Sequence, residues 1–396
     1  MRWPEWIWAV AGALLLLALG LISVDATLTA VGKGMDVYLF LIGMMLLSET
    51  ARIHGLFDWV AATAVDHARG SSGRLFLLIY MAGVVITTFL SNDATAVVLT
   101  PAVFAAARKA ETEPLPLLLA CALVANAASF VLPISNPANL VLYSSDMPSL
   151  GAWLGAFALP SLASIVVTFW MLRLVERKRL SGSCACDVDR PVLSHGGWAT
   201  LGGIVMTAGL LLVMSALDRP LGLPTALAGI CTALAVSLLA RSSPIRLAKG
   251  ISWGVLPLVG GLFILVEALE RTGVIGALAA ALANVPRTPA FAALVSGSVV
   301  AVASNLVNNL PTGLIASTVI AQSHPARLVV DGLLIGVDIG PNLSVTGSLA
   351  TILWLQVIRR EGEDVSFWRF LKVGAAVMPP ALVAALGTRM LIDLSL

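Results

Sequence analysis

The chain has 396 residues, 58% of them hydrophobic and only 12% charged, with a formal net charge of +2. A soluble domain carries about 25% charged residues, so a soluble protein is excluded, and the near-neutral balance says nothing about partners. Apolar runs of about 18 residues or more recur along the sequence without the alternation of barrel strands, so the chain reads as an all-α polytopic membrane protein.

The first run, Trp6–Ile22, follows Arg2 and has the outline of a signal peptide. With many spans behind it, it is expected to be a retained first helix over 5–22. Further full spans are expected at 35–53, 150–172, 198–217, 222–240, 253–270 and 366–392. The segments 114–145 and 326–358 are too long for one straight helix. Each contains a breaker cluster, Pro133-Ile134-Ser135-Asn136-Pro137 in one and Gly340-Pro341 through Gly347 in the other, so both are expected to be broken helices. The segments 73–107 and 288–322 turn back at polar tips, Ser91-Asn92-Asp93 and Val307-Asn308-Asn309, and read as re-entrant hairpins. Short amphipathic helices at 55–68 and 274–284 would lie along the interface.

The long polar stretch Arg173–Trp198 divides the chain, and the two sides match in order at a nearly constant offset: Glu49 falls on Glu267, Asn92 on Asn308, Asp93 on Asn309 and Ser135 on Thr346. The expected division is a first repeat at 1–172, a cytoplasmic loop at 173–197, a linking helix at 198–221 and a second repeat at 222–396. With the N-terminus cytoplasmic, only Lys33, Arg219, Arg271, Arg287, Arg327 and Arg389 of the 24 Lys and Arg fall outside, which fits the positive-inside rule. That layout runs 35–53 inward and 253–270 outward, so the repeats are inverted. Inverted repeats with helices broken at mid-depth are the architecture of secondary transporters.

Polar groups expected at mid-depth are few. The hairpins supply Ser91, Asn92, Asp93 and Thr95, and Ser304, Asn305, Asn308, Asn309 and Thr312. The broken helices supply Ser135, Asn136 and Asn139, and Asp338, Asn342, Ser344 and Thr346. Asp93 and Asp338 are read as the only mid-membrane carboxylates. Such acids are costly and usually functional, and burial disfavours their charged form. They are therefore candidates to carry a proton as access alternates, although hydrogen bonds at a hairpin tip would also account for them. Glu49 and Glu267, each near a helix end, are expected to reach water or to pair with Arg52 or Arg271, and Asp331 to be solvated near the outer surface. Cys184 and Cys186 could contact a thiophilic metalloid. No metal-ligand spacing, Walker A motif, nucleophile–base pair or nucleic-acid module emerges.

The stretches FLSNDATAVVLTP (89–101), VNNLPTGLIAS (307–317) and VDIGPNLSVTGSLATILWL (337–355) resemble the arsenical pump membrane protein family, the arsenite and antimonite efflux permeases of the ion transporter superfamily. The resemblance runs from about residue 35 to the C-terminus. It implies a scaffold and a transport core with two opposed hairpins and two broken helices, in the bacterial inner membrane. Carried onto this chain, it implies one site of Ser91, Asn92 and Asp93 with Ser135 and Asn136. A second site pairs Asn308 and Asn309 with Asp338 and Thr346. Thr95 and Asn342 complete the substrate-binding set, and a proton on Asp93 or Asp338 would replace the sodium of sodium-coupled relatives. The chain lacks the serine-asparagine-threonine tip and mid-depth arginine of dicarboxylate carriers. Arsenous acid, a small neutral trihydroxide, suits Ser, Thr and Asn partners, and its uphill export needs a coupled charge such as an entering proton. The expected partners are arsenite or antimonite, protons and the bilayer, with no cofactor. Two alternatives stay open: a sodium/proton antiporter of the same fold, and the membrane subunit of a pump whose soluble, ArsA-type ATPase docks at loop 173–197.

Overall fold

The computed structural model describes residues 4–143, 147–184, 192–285 and 288–395. Among these the chain is helical throughout, and the one β contact is an isolated bridge between Ser71 and Ser183. The N-terminal part comprises α1 (Glu5–Ala18), α2 (Val24–Lys33), α3 (Met35–Ile53) and α4 (Leu56–Ala68). The first hairpin is α5 (Ser72–Phe89), a π-helical turn over Ala94–Leu99, and α6 (Thr100–Lys109). The first broken helix is α7 (Pro114–Ala127), a 3₁₀ turn at Pro133–Ser135 and α8 (Pro137–Leu142). Then come α9 (Leu150–Val175), α10 (His195–Ala216), α11 (Gly222–Leu239), α12 (Pro244–Gly250), α13 (Val255–Arg271) and α14 (Val274–Ala283). The second hairpin is α15 (Pro289–Val307) and α16 (Asn309–Ser323). The second broken helix is α17 (Arg327–Ile339), 3₁₀ turns at Gly340–Leu343 and Val345–Gly347, and α18 (Leu349–Arg360), followed by α19 (Phe367–Ser395).

Among the described residues, six helices are long and apolar enough to cross a membrane, or eight if each bent pair is one span. The bent pairs are α2–α3, at 48°, and α12–α13, at 44°. A single span over 5–22 does not form. Helix α1 stops at Ala18, because Gly20 takes a left-handed φ of +69° and Ser23 then caps a new helix by accepting from the Ala26 N–H. At 14 residues, α1 is about 21 Å long, short of the roughly 30 Å hydrocarbon core.

The two sides of the chain pack crosswise. Helix α3 lies against α11, and α13 against α1. The second arm of each hairpin contacts the second half of the other side's broken helix: α16 with α8, and α6 and its π turn with α18. Helices α9 and α19 lie against each other. Helices α15 and α17 approach so closely that a Cβ on Gly336 would stand 2.2 Å from the Gly297 carbonyl oxygen. Small residues at such seams let membrane helices pack backbone to backbone.

Candidate functional site

The first hairpin tip is tied down by its own hydroxyls. Thr87 and Thr95 share a hydrogen bond of 2.8 Å between the arms, and Thr95 also donates to the Gly83 carbonyl. Ser91 Oγ accepts from the Ala94 N–H, and Ser135 Oγ donates to the Thr88 carbonyl at 3.0 Å, fastening the first break to the tip. Thr95 and Ser135 are thus engaged with the backbone, and neither lines a cavity described below. The widened π turn that follows leaves Asn92 and Asp93 facing inward.

At the second tip, Asn308 adopts φ +77° and ψ 153°, a backbone region largely reserved for glycine. Its side chain holds that shape by accepting from the Leu310 N–H and donating to the Thr346 carbonyl at 3.5 Å. Asn305 organises the second break: it donates to the Ala301 and Gly340 carbonyls and accepts from both the N–H and the hydroxyl of Ser344. Thr346 donates to the Asn305 carbonyl, is exposed, and opens onto a groove of about 1100 Å³ beside α1 and α13. Asn342 is fully buried, accepting from Asn126 at 3.0 Å and donating to the Leu123 carbonyl. Its surroundings place it in the wall, away from the cavities.

Between the tips, Asn92, Asp93, Asn136 and Asn309 line one chamber of about 30 Å³, bordered by Leu41 of α3, by Val255 and Val259 of α13, and by the start of α18. That exceeds the roughly 10–15 Å³ of such space that one water needs. Among the described residues, neither the Asp93 carboxylate nor the Asn309 amide makes a side-chain hydrogen bond. Helices α16 and α18 both begin at this chamber, and helix N-termini carry partial positive charge. Asp93 also forms the floor of a cavity of about 390 Å³ whose mouth carries Glu49, Arg52, Arg360 and Glu361. This mouth lies on the side where α1 begins, since Glu5 accepts from Gln356 one turn before Arg360.

Asp338 is fully buried behind the chamber. Asn136 Nδ2 donates to its Oδ1 at 2.6 Å, and its Oδ2 has no hydrogen-bond partner. The neighbouring Ser129 hydroxyl donates instead to the Asn126 carbonyl at 2.7 Å. The resemblance implied two sites, each with its own acid; here the amide assigned to the first hydrogen-bonds the acid assigned to the second. Asn136 belongs to the first break yet holds the acid of the second. Asn126 was missed by sequence reading; an amide inside the otherwise apolar run of α7 was the available signal.

Asp331 is not solvated. It is fully buried, accepting from Tyr143 at 2.6 Å, Arg327 at 3.0 Å and Arg389 at 2.8 Å. It is thus, like Asp338, a fully buried carboxylate, but one neutralised by cations, one of which comes from α19, far along the chain. Glu49 binds Arg52 through both oxygens, and Glu267 pairs with Lys33 at 2.8 Å and Arg271 at 3.8 Å. Cys184 is buried, and Cys186 lies outside the described residues. Among the described residues no three His, Cys, Asp or Glu side chains come together as a metal site.

The CitMHS family, described as citrate transporter, matches residues 1–340. An arsenical pump membrane protein of Escherichia coli is 26% identical over 98% of this chain and 94% of its own. An uncharacterised transporter of Mycobacterium tuberculosis is 28% identical over 89% of this chain and 85% of its own. The solved YdaH transporter of Alcanivorax borkumensis is 17% identical, with a TM-score of 0.61 and 98% of each chain covered, a likeness of fold. Two hairpins and two interrupted helices enclosing a polar chamber, together with a family match over most of the chain, lead to one conclusion: the chain belongs to the CitMHS family and is a multi-pass membrane transporter of the ion-transporter type.

Proposed function

We propose that the protein exports arsenite and antimonite, as neutral trihydroxides, in exchange for protons, and that it resides in the bacterial inner membrane with its N-terminus cytoplasmic. The observation that carries this reading is the composition of the chamber. Its lining gathers amides, one reachable carboxylate and two helix N-termini without arginine or lysine, which suits a neutral hydroxylated solute and offers a multiply charged organic anion no full cation. The kinship with arsenical pump membrane proteins supports the same substrate class.

In this reading the cavity above Asp93 opens to the cytoplasm, so the conformation is the one that loads substrate. Asn92, Asn136 and Asn309 hold its hydroxyls, with Ser91 at the edge of the cavity. Asp93 exchanges its proton with the cavity, and Asp338 keeps a second proton site sealed behind Asn136. Thr95, Ser135, Asn308, Asn342 and Thr346 shape the tips and breaks that position these groups. The division into inverted repeats at 1–172 and 222–396 accounts for the crosswise packing.

Everted membrane vesicles with an imposed proton gradient test the proposal. Arsenite should accumulate, accumulation should vanish when the gradient is collapsed with ATP present, and Asp93→Asn should abolish it with expression unchanged. Sodium-dependent proton movement without arsenite flux would favour the antiporter alternative. Uptake that survives collapse of the gradient would favour an ATP-driven pump.

A further inference from the structure

Helices α8 and α17 are joined by two polar rungs, about two turns apart on each helix. At one end Tyr143, the residue after α8, donates to Asp331, which is also held by Arg327 and Arg389. At the other end the single contact is Asn136 Nδ2 to Asp338 Oδ1. The first rung is charged and fully partnered; the second is one hydrogen bond beside an oxygen with no partner.

Asn136 is also constrained from behind. Its Oδ1 accepts from the Ala138 N–H at 3.0 Å, capping α8 and fixing the plane of the amide. An amide nitrogen carries two hydrogens. One is directed to Asp338, and the same side chain lines the chamber with Asn92, Asp93 and Asn309. One amide therefore touches both the buried acid and the space where a solute would bind.

Resting on the arsenite reading above, we infer that Asn136 is the positioning residue that couples occupancy of the chamber to the proton on Asp338. A solute hydroxyl that hydrogen-bonds the second N–H from the chamber holds the amide firmly against Asp338. An N–H donated to a carboxyl group favours its charged form, so the ordered contact releases the proton, and solute and proton alternate as exchange requires. The change is the gain or loss of one proton at a carboxyl oxygen, with no other bond altered. Coupling of this kind is reciprocal: protonation of Asp338 changes solute affinity by the same factor, about 5–150-fold in typical cases.

The surroundings of Asp338 leave few other titrating groups. Helices α15 and α16 present no charged side chain, and the titratable group on α7 is the Cys121 thiol. Helix α19 brings Arg389 and Asp393 to the Asp331 end, where Tyr143 and Arg327 also lie. The remaining acid is Asp93, across the chamber.

The test uses the full-length purified protein and arsenite itself, with affinity measured from acid to alkaline pH. Asn136→Ser keeps an oxygen to cap the Ala138 N–H, and its hydroxyl is too short to reach Asp338. The expected result is weaker binding and loss, in Asn136→Ser, of the same part of the pH dependence that Asp338→Asn removes. The double variant should lose no more than either single one, the signature of two residues acting as a unit. Circular dichroism and thermal unfolding confirm that each variant is folded. A wild-type pH profile in folded Asn136→Ser, or additive losses in the double variant, overturns the inference alone. Absence of arsenite binding by the wild-type protein overturns the substrate reading, and this inference with it.

Discussion

Asp93, Asp331 and Asp338 are three carboxylates in membrane-embedded segments, and each has a different neighbourhood. Asp93 faces a cavity with no partner, Asp338 has one donor, and Asp331 has two arginines and a tyrosine. The sequence alone marked Asp93 and Asp338 as unusual, since each interrupts an apolar run. It misjudged Asp331 because the residue that neutralises it most fully, Arg389, is 58 positions away. Removing one member of a buried ion pair typically costs about 3–5 kcal/mol, because the other charge is left without compensation. Arg389→Leu should therefore lower the unfolding temperature of the purified protein markedly. Lys33→Ala breaks a pair whose lysine is 55% exposed, and should barely move it. Thermal unfolding in detergent compares the two.

Among the elements, the hairpins and breaks were legible because proline, glycine and asparagine clusters interrupt apolar runs that are otherwise long enough to span. What was not legible is where a short helix bends into a long one. Helices α2 and α12 each precede a long helix at an angle, and the sequence reading had neither. Ser23 ahead of α2 and Pro244 at the start of α12 were local start signals. The bends themselves depend on partners: a side chain on Gly34 would strike Phe263 of α13, and one on Gly250 would strike Glu49 of α3. The same dependence governs α17, which carries Asp338. Gly336→Leu has no room against the Gly297 backbone, so it should separate α15 from α17 and reduce the yield of folded protein. Size-exclusion chromatography of the expressed variant reads this directly; a wild-type elution profile would show that the seam is slack.

Over the whole molecule, the order of apolar runs, polar tips and breaker clusters announced the kinds of element present, but not which residues would pair across the two halves. The Asn136–Asp338 contact joins one half to the other, so no motif within either half could announce it. The molecule is also asymmetric in access: the cavity above Asp93 has a charged mouth on one side only among the cavities that reach the acid. Val98 lines that cavity, half-buried. In a background lacking the native cysteines, Val98→Cys should react with a membrane-impermeant maleimide in everted vesicles and remain protected in right-side-out ones. Labelling from the outer side alone would reverse the assigned sidedness.

The crosswise seams also set a schedule for biosynthesis. Helix α3 leaves the ribosome long before α11, the helix that covers it, and α1 waits similarly for α13. Until those arrive, the early segments reside in the translocon or the lipid with their glycine-lined faces bare. The N-terminal half expressed as a separate polypeptide should thus be a substrate for membrane proteases, and co-expression of the C-terminal half should rescue it.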